Sequence, residues 1–270
     1  MLNPFEVTDV LAKTWVTLMD VDINIINSWK STFFSRGFNQ HSFKLKKRVV
    51  LNSMDEIQKL IDIVKDELKN VAKNISIPHV FFLTNHHGVV YDLSAPSHVI
   101  QSLESYNIGV GTSFSLEAAG INAVSVAMKL KDKSIVQGIE HSMDIFKSWS
   151  CICFPIRNQQ DIVGYLDLSF HNENDVAFAG ALMERIVHNI ELKLIEASES
   201  ESNVRFEENC DKYKLTNKEK QVAHYWICGE TQSEIASLLG ISKETVKSHL
   251  RNISKKVDAH NKITFLKKFV

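Results

Sequence analysis

Apolar positions along this chain of 270 residues change period several times, and each change marks an element. Leu11, Trp15, Leu18, Ile25, Trp29 and Phe33 keep to helical spacing and predict an amphipathic helix over residues 9–34. Ser53 and Glu56 have the spacing of a reciprocal helix cap, and Ile57, Leu60, Ile61, Val64, Leu68 and Val71 follow on one stripe. The period then shortens. Residues 80–84 and 89–93, parted by a polar turn at residues 85–88, predict a hairpin, as do residues 149–156 and 162–170 around the turn at 158–161. A helix over residues 118–130 separates the two hairpins, and Phe178, Leu182, Ile186, Ile190 and Leu194 predict a long helix over 175–197. Helix, hairpin, helices, hairpin, helix is the order of an α+β fold in which helices cover an antiparallel sheet.

The last sixty residues follow a different pattern. Thr216 with Glu219, and Thr231 with Glu234, are two Thr-x-x-Glu caps, in which the hydroxyl takes a first-turn amide and the carboxylate reaches back. Val222, Tyr225 and Trp226 continue the first of these helices, and Gly229 stands where a left-handed residue ends it. Ile235, Leu238 and Leu239 continue the second, which stops at Gly240. Ser242 then caps a third helix whose Val246, Leu250, Ile253 and Val257 fall on one apolar face. Lys243, Thr245, Lys247, Ser248, Arg251, Asn252 and Lys255 lie elsewhere on it, mostly on the opposite side. Two helices joined by a tight Gly-containing turn, the second with cationic and hydrogen-bonding groups outward, suit a helix-turn-helix entering the major groove of DNA.

Charge supports that division. Residues 211–270 hold 12 Lys/Arg against 6 Asp/Glu, whereas the whole chain has a net charge of −1, so the remainder is acidic. An acidic stretch over residues 191–211, in which apolar positions thin out after Ile195, predicts a linker. The expected organisation is an α+β domain over 1–196, an acidic linker over 197–213 and an all-α domain of four helices over 214–270. No apolar run approaches the roughly 20 residues of a membrane helix, and no basic-then-apolar stretch opens the chain, which leads us to expect a cytoplasmic protein without membrane contact. Four cysteines are too few and scattered for a disulfide framework, in keeping with a reducing compartment.

Residues 215–266 closely resemble the DNA-binding domain of LuxR/FixJ-type transcriptional regulators. The likeness is carried by LTNKEKQV and by GETQSEIASLLGISKETVKSHLRNISKKVDAHNK, without a gap. It implies a four-helix module whose third helix reads DNA through Lys247, Ser248 and Arg251. A fourth helix over residues 262–269 would often make a dimer contact. Asp258 departs from the family pattern, which has Gly at a position suited to positive φ.

The first two hundred residues resemble a GAF domain, and more closely the sensor region of bacterial activators of the acetoin and dihydroxyacetone type. The matching stretches are INSWKSTFFSRGF, SLEAAGINAV, GIEHSMDIFKSWSCICFPI and VGYLDLSF. Ile121 stands where that family usually has Thr. The resemblance implies a module sensing a small molecule or signal. Candidate ligand-binding groups at the motif positions are Glu117, Asn122, Glu140, His141, Trp149, Cys151, Cys153 and Asp167, since a ligand site needs a few polar groups converging within apolar walls.

Enzyme readings find no support in the spacing. Gly109 and Gly111 begin like a dinucleotide loop, but Phe114 takes the place of the third glycine. No phosphate-binding Gly-x-x-x-x-Gly-Lys loop, catalytic residues, metal set or cofactor signature is found, and His86 with His87 read as turn residues. The expected function is regulated, sequence-specific DNA binding. The partners are double-stranded operator DNA, a small-molecule effector, a second copy in a homodimer and RNA polymerase. The alternatives are an N-terminal domain serving protein interaction or dimerisation without a ligand, or a thiol redox sensor built on Cys151 and Cys153.

Overall fold

A computed structural model describes residues 15–35, 54–171 and 176–269. The chain divides into two compact units, Met1–Ile195 and Glu196–Val270.

The first unit is built on a six-stranded sheet. Its strands are β1 (Val16–Thr17), β2 (His79–Asn85), β3 (Val90–Ser94), β4 (Ser134–Gln137), β5 (Trp149–Asn158) and β6 (Asp161–His171), in the order β1-β4-β5-β6-β2-β3. The expected hairpins are β2–β3 and β5–β6, and β2 also pairs antiparallel with β6, in an α+β arrangement. The sheet is mixed rather than purely antiparallel, because the two-residue β1 lies parallel to β4 at one edge. Neither of those two strands was legible, since two or four residues are too few to establish an alternation.

Alternation along the central strands feeds two apolar cores. Cys151, Cys153, Val80, Phe82 and Tyr165 belong to one, with Phe114, Ile121, Val124 and Met143 from the connecting segments and helices. Ile152, Phe154, Ile156, Leu166, Leu168 and Phe170 belong to the other, covered by helix α2 (Met54–Val71) and by the long final helix of the unit. From α2 come Leu60, Val64 and Leu68, three of the six positions on its expected stripe. The residues predicted before position 15, and the Ser53–Glu56 cap, lie outside the described residues.

Two predicted helices are interrupted by local hydrogen bonding. Among the described residues the helix expected over 9–34 begins at α1 (Ile23–Phe34), because Asp22 caps it by accepting from the Asn24 amide at 2.8 Å, and Asp20 takes the Thr17 amide at 2.8 Å. After α3 (Ser97–Ser105), the helix expected over 118–130 is divided into α4 (Leu116–Ala119) and α5 (Ala123–Leu130). Gly120 between them has φ 66° and ψ −155°, a conformation essentially closed to other residues.

The final helix of the first unit, α6 (Val176–Lys212), runs through the stretch expected to be a linker. No Gly or Pro interrupts residues 181–212, and acidic residues are compatible with helix, so a polar composition did not mean an extended chain. Ala179, Met183, Ile186, Val187, Ile190 and Leu194 are buried, whereas Phe178, expected on the inward stripe, is 74% exposed.

The second unit comprises α7 (Asn217–Ile227), α8 (Gln232–Leu239), α9 (Lys243–Val257) and α10 (Lys262–Phe269) around a third core. Cys210 from the end of α6 is buried in it. Among the described residues no helix is long and apolar enough to cross a membrane.

Substituting Gly120→Ala would place a Cβ 2.4 Å from Ser142 Cβ. Ser142 cannot easily withdraw, because its hydroxyl accepts from the Ile121 amide at 2.8 Å. Urea denaturation should show a loss of about 2 kcal/mol or more.

Candidate functional site

The three caps read from the sequence position the second unit's helices. Thr216 and Thr231 each donate a backbone amide to the carboxylate three residues on, Glu219 at 2.8 Å and Glu234 at 2.7 Å, while their hydroxyls accept in return. The Ser242 hydroxyl accepts the Thr245 amide at 3.0 Å. Gly240, at φ 63°, turns the chain from α8 into α9, and Asp258 at φ 51° ends α9 without the family's usual glycine.

Glu219 does more than cap. It is buried, and its carboxylate accepts from the Lys256 ammonium at 2.6 Å, tying α9 to the start of α7. Burial alone would raise its pKa, but the Lys256 ammonium and the amide and hydroxyl of Thr216 outweigh it and hold the group below the usual range. Lys256 also donates to the Lys214 carbonyl at 3.0 Å, so this cation is committed within the unit. Sequence reasoning missed the pair; its signal is that residue 256 lies beside the buried Ile253 and Val257.

The outward side of α9 is free. Val246, Leu250, Ile253 and Val257 are buried, whereas Lys243, Thr245, Lys247, Ser248, Arg251, Asn252 and Lys255 are all exposed. Thr245 has its hydroxyl 2.8 Å from Ser242, and Lys247 makes a loose exposed pair with Glu244 at 3.5 Å. The side chains of Lys243, Ser248, Arg251, Asn252 and Lys255 carry no hydrogen bond or ion pair among the described residues. Three cations and two amide or hydroxyl groups thus stand uncommitted on one capped helix. That is the donor set for phosphates and base edges, with Arg able to bond guanine through two nitrogens.

The candidate sensing residues divide. Asn122, His141, Cys151 and Asp167 converge on one small cavity, joined by Ser169 and three phenylalanines, Phe82, Phe114 and Phe146. Its volume is about 20 Å³, room for about one water-sized group. Asn122 is engaged structurally: its side chain caps α5 by accepting from the Ser125 amide at 3.0 Å, and donates to the carbonyls of Phe114 and Gly120. Ser169, which the sequence reading did not single out, donates to Asp167 Oδ2 at 2.7 Å and lies 3.1 Å from Cys151 Sγ. His141 has Nδ1 3.0 Å from the Gly138 carbonyl, leaving Nε2 buried without a partner among the described residues, as is Asp167 Oδ1.

The other four candidates lie outside that cavity. Glu140 accepts the Gln137 amide at 2.7 Å in a short helical turn. Trp149 is half-buried beside His171, Glu117 is half-buried in α4, and Cys153 is buried in the apolar core. Desolvation, and then the nearby Asp167 charge, push both Cys151 and Cys153 well above the ordinary thiol range, which makes them poor thiolate nucleophiles. His86 and His87 are exposed in the β2–β3 turn.

The second unit therefore has the architecture of a helix-turn-helix domain presenting a basic helix. Residues 213–267 match the family model described as bacterial regulatory proteins, luxR family, and this unit is a LuxR-family domain. Over 53 residues the chain is 42% identical to the uncharacterized response regulatory protein YgeK of Escherichia coli (strain K12), covering 20% of this chain and 36% of YgeK. Over 150 residues it is 25% identical to MimR, the propane 2-monooxygenase operon transcriptional activator of Mycolicibacterium goodii, covering 54% of this chain and 25% of MimR. The chain thus spans little more than a third of YgeK and a quarter of MimR. A chain of the E. coli DhaR(N)–DhaL complex has a TM-score of 0.58 at 12% identity, over 68% of this chain and 66% of that one, a likeness of fold.

Burial raises the Asp167 carboxyl to about 7, partly offset by its bond from Ser169. Its folded-state pKa lies above the unfolded value, so the folded state holds a proton that the unfolded chain gives up, and stability falls as pH rises from about 4 to about 7. Asp167→Asn should therefore stabilise the protein at pH 8 by on the order of 2–4 kcal/mol. Urea midpoints should show the gain shrinking as pH falls towards 4.

Proposed function

We propose that this protein is a sequence-specific, DNA-binding transcriptional regulator whose N-terminal α+β domain senses a small molecule or signal. The observation that carries the reading is the exposed side of α9 in a LuxR-family domain, where Lys243, Ser248, Arg251, Asn252 and Lys255 are free to bond a duplex. On this reading Lys247, Ser248 and Arg251 meet the bases or adjacent phosphates, and Lys243, Thr245, Asn252 and Lys255 flank them. One such module covers only a short half-site, which favours a homodimer. Leu192 and Ile195, one helical turn apart and exposed on α6 at 45% and 38%, offer an apolar surface for it.

For the sensing role, the support is the sensor-type fold and the convergence of His141, Cys151 and Asp167 with two unpartnered polar atoms. A cavity of about 20 Å³ favours, at that place, the second reading: an N-terminal domain that works by contact with a protein partner or a second copy. Burial of both strand thiols weighs against a thiol redox sensor.

Arg251→Ala should weaken binding to the specific operator by about 1–3 kcal/mol while changing affinity for random duplex much less, as read by fluorescence anisotropy at fixed salt. An equal loss on both duplexes would limit Arg251 to phosphate contact; no loss on either would remove α9 from the interface.

A further inference from the structure

The outward side of α9 carries one residue of the opposite sign. Val246, Leu250, Ile253 and Val257 are buried at successive spacings of four, three and four. Glu244, Ser248, Arg251 and Lys255 repeat those spacings two positions earlier. At about 100° per residue they form a stripe about 200° round the helix from the buried one. All four are exposed, and 80% of the Glu244 side chain is accessible. A carboxylate therefore shares the outermost line of α9 with Ser248 and Arg251.

The structure gives this carboxylate little to do within the unit. Glu219 and Glu234 each accept the amide of the threonine three residues before them, but α9 is capped by the Ser242 hydroxyl. Among the described residues Glu244 takes one hydrogen bond, from Lys247 at 3.5 Å. That pair is open to water on both sides, with 62% of the lysine side chain exposed, and such pairs are weakly held. Glu244 is thus free to meet whatever α9 meets.

A major groove is a hard place for a carboxylate. Phosphates line its walls, and most atoms on the base edges are acceptors, so the group loses water and meets like charge unless a donor receives it. Guanine and thymine edges offer no donor there. Adenine has its N6 amino group beside the N7 acceptor, which repels an anion. Cytosine presents its N4 amino group with no acceptor on the same base.

We infer that Glu244 is a specificity determinant of DNA recognition, accepting from the N4 amino group of a cytosine and disfavouring every other base at that position. The inference rests on α9 being the helix that enters the groove. Discrimination of this kind works mainly by penalty: the unmatched carboxylate weakens binding to the wrong sequence more than it strengthens binding to the right one.

The test needs no known operator. Full-length protein is used to select from a pool of duplexes randomised over about 20 base pairs, room for two half-sites one helical turn apart. The unaltered chain should enrich a site with a fixed cytosine. Glu244→Gln, which keeps the shape and removes the charge, should reduce the preference for cytosine at that position about fivefold or more and leave the other positions unchanged. It should also bind the unselected pool at least as tightly as the unaltered chain. A selected site unchanged at every position by Glu244→Gln would overturn the inference. So would a uniform loss of affinity with base preference intact, the result expected if Glu244 serves only the first turn of α9. Enrichment of no sequence by the unaltered chain would remove the reading of α9 as the DNA-facing helix, and this inference with it.

Discussion

The first unit depends on one constraint: its two central strands, β5 and β6, are apolar on both faces and must be covered on both. Ile152, Phe154 and Ile156 bury themselves under α2 and α6, while Cys151 and Cys153, alternating with them, enter the opposite core. A shift of one residue in the register would exchange the two sets, putting Cys153 and Asp167 where Phe154 and Leu166 now pack. The polar groups of this sheet therefore occupy fixed places. Asp167, Ser169 and Cys151 meet because residues 151 and 169 are cross-strand partners and 167 is two residues from 169 on the same face.

Two openings in this unit follow from the same geometry and differ in character. On one face several polar groups converge with almost no space between them, and they satisfy one another except at His141 Nε2 and Asp167 Oδ1. His141 is pushed down to about 4 by burial, and Asp167 up to about 7, so near pH 5 both are held without charge in the folded chain. On the other face there is ample space, walled mainly by apolar side chains together with Asn74, Ser76 and His79. Polar residues at motif positions drew attention to the first; the second is marked by an apolar lining, which a sequence presents as ordinary core.

Legibility along the chain tracked how local the determining interactions are. The helix-turn-helix could be read almost to the residue, because its caps, its turn at Gly240 and the buried face of α9 are all set by spacings of three and four. The hairpins were equally clear, since both are closed by short polar turns. Failures came where a side chain bonds its own backbone or a distant partner. Asp22 and Asn122 start helices within stretches whose apolar spacing looked continuous, and β1 exists only because β4 offers it an edge over a hundred residues away. The pair between Glu219 and Lys256 was invisible for the same reason, being 37 residues apart in sequence. The acidic run after Ile195 is helical and mostly exposed, because composition reports solvation and leaves the backbone conformation open.

That run has a mechanical implication. Between Leu194 and Phe206 no residue of α6 is buried, so this part of the helix rests mainly on intrinsic propensity, until Phe206 packs against His224 and Phe269 and Glu207 pairs with Lys220. Isolated helices of that length are marginal in water, so the segment is the portion of α6 that would melt first. Each residue that unwinds lengthens the tether from about 1.5 Å to as much as about 3.3 Å. A stretch whose like charges already repel one another can thus lengthen with little loss of packing.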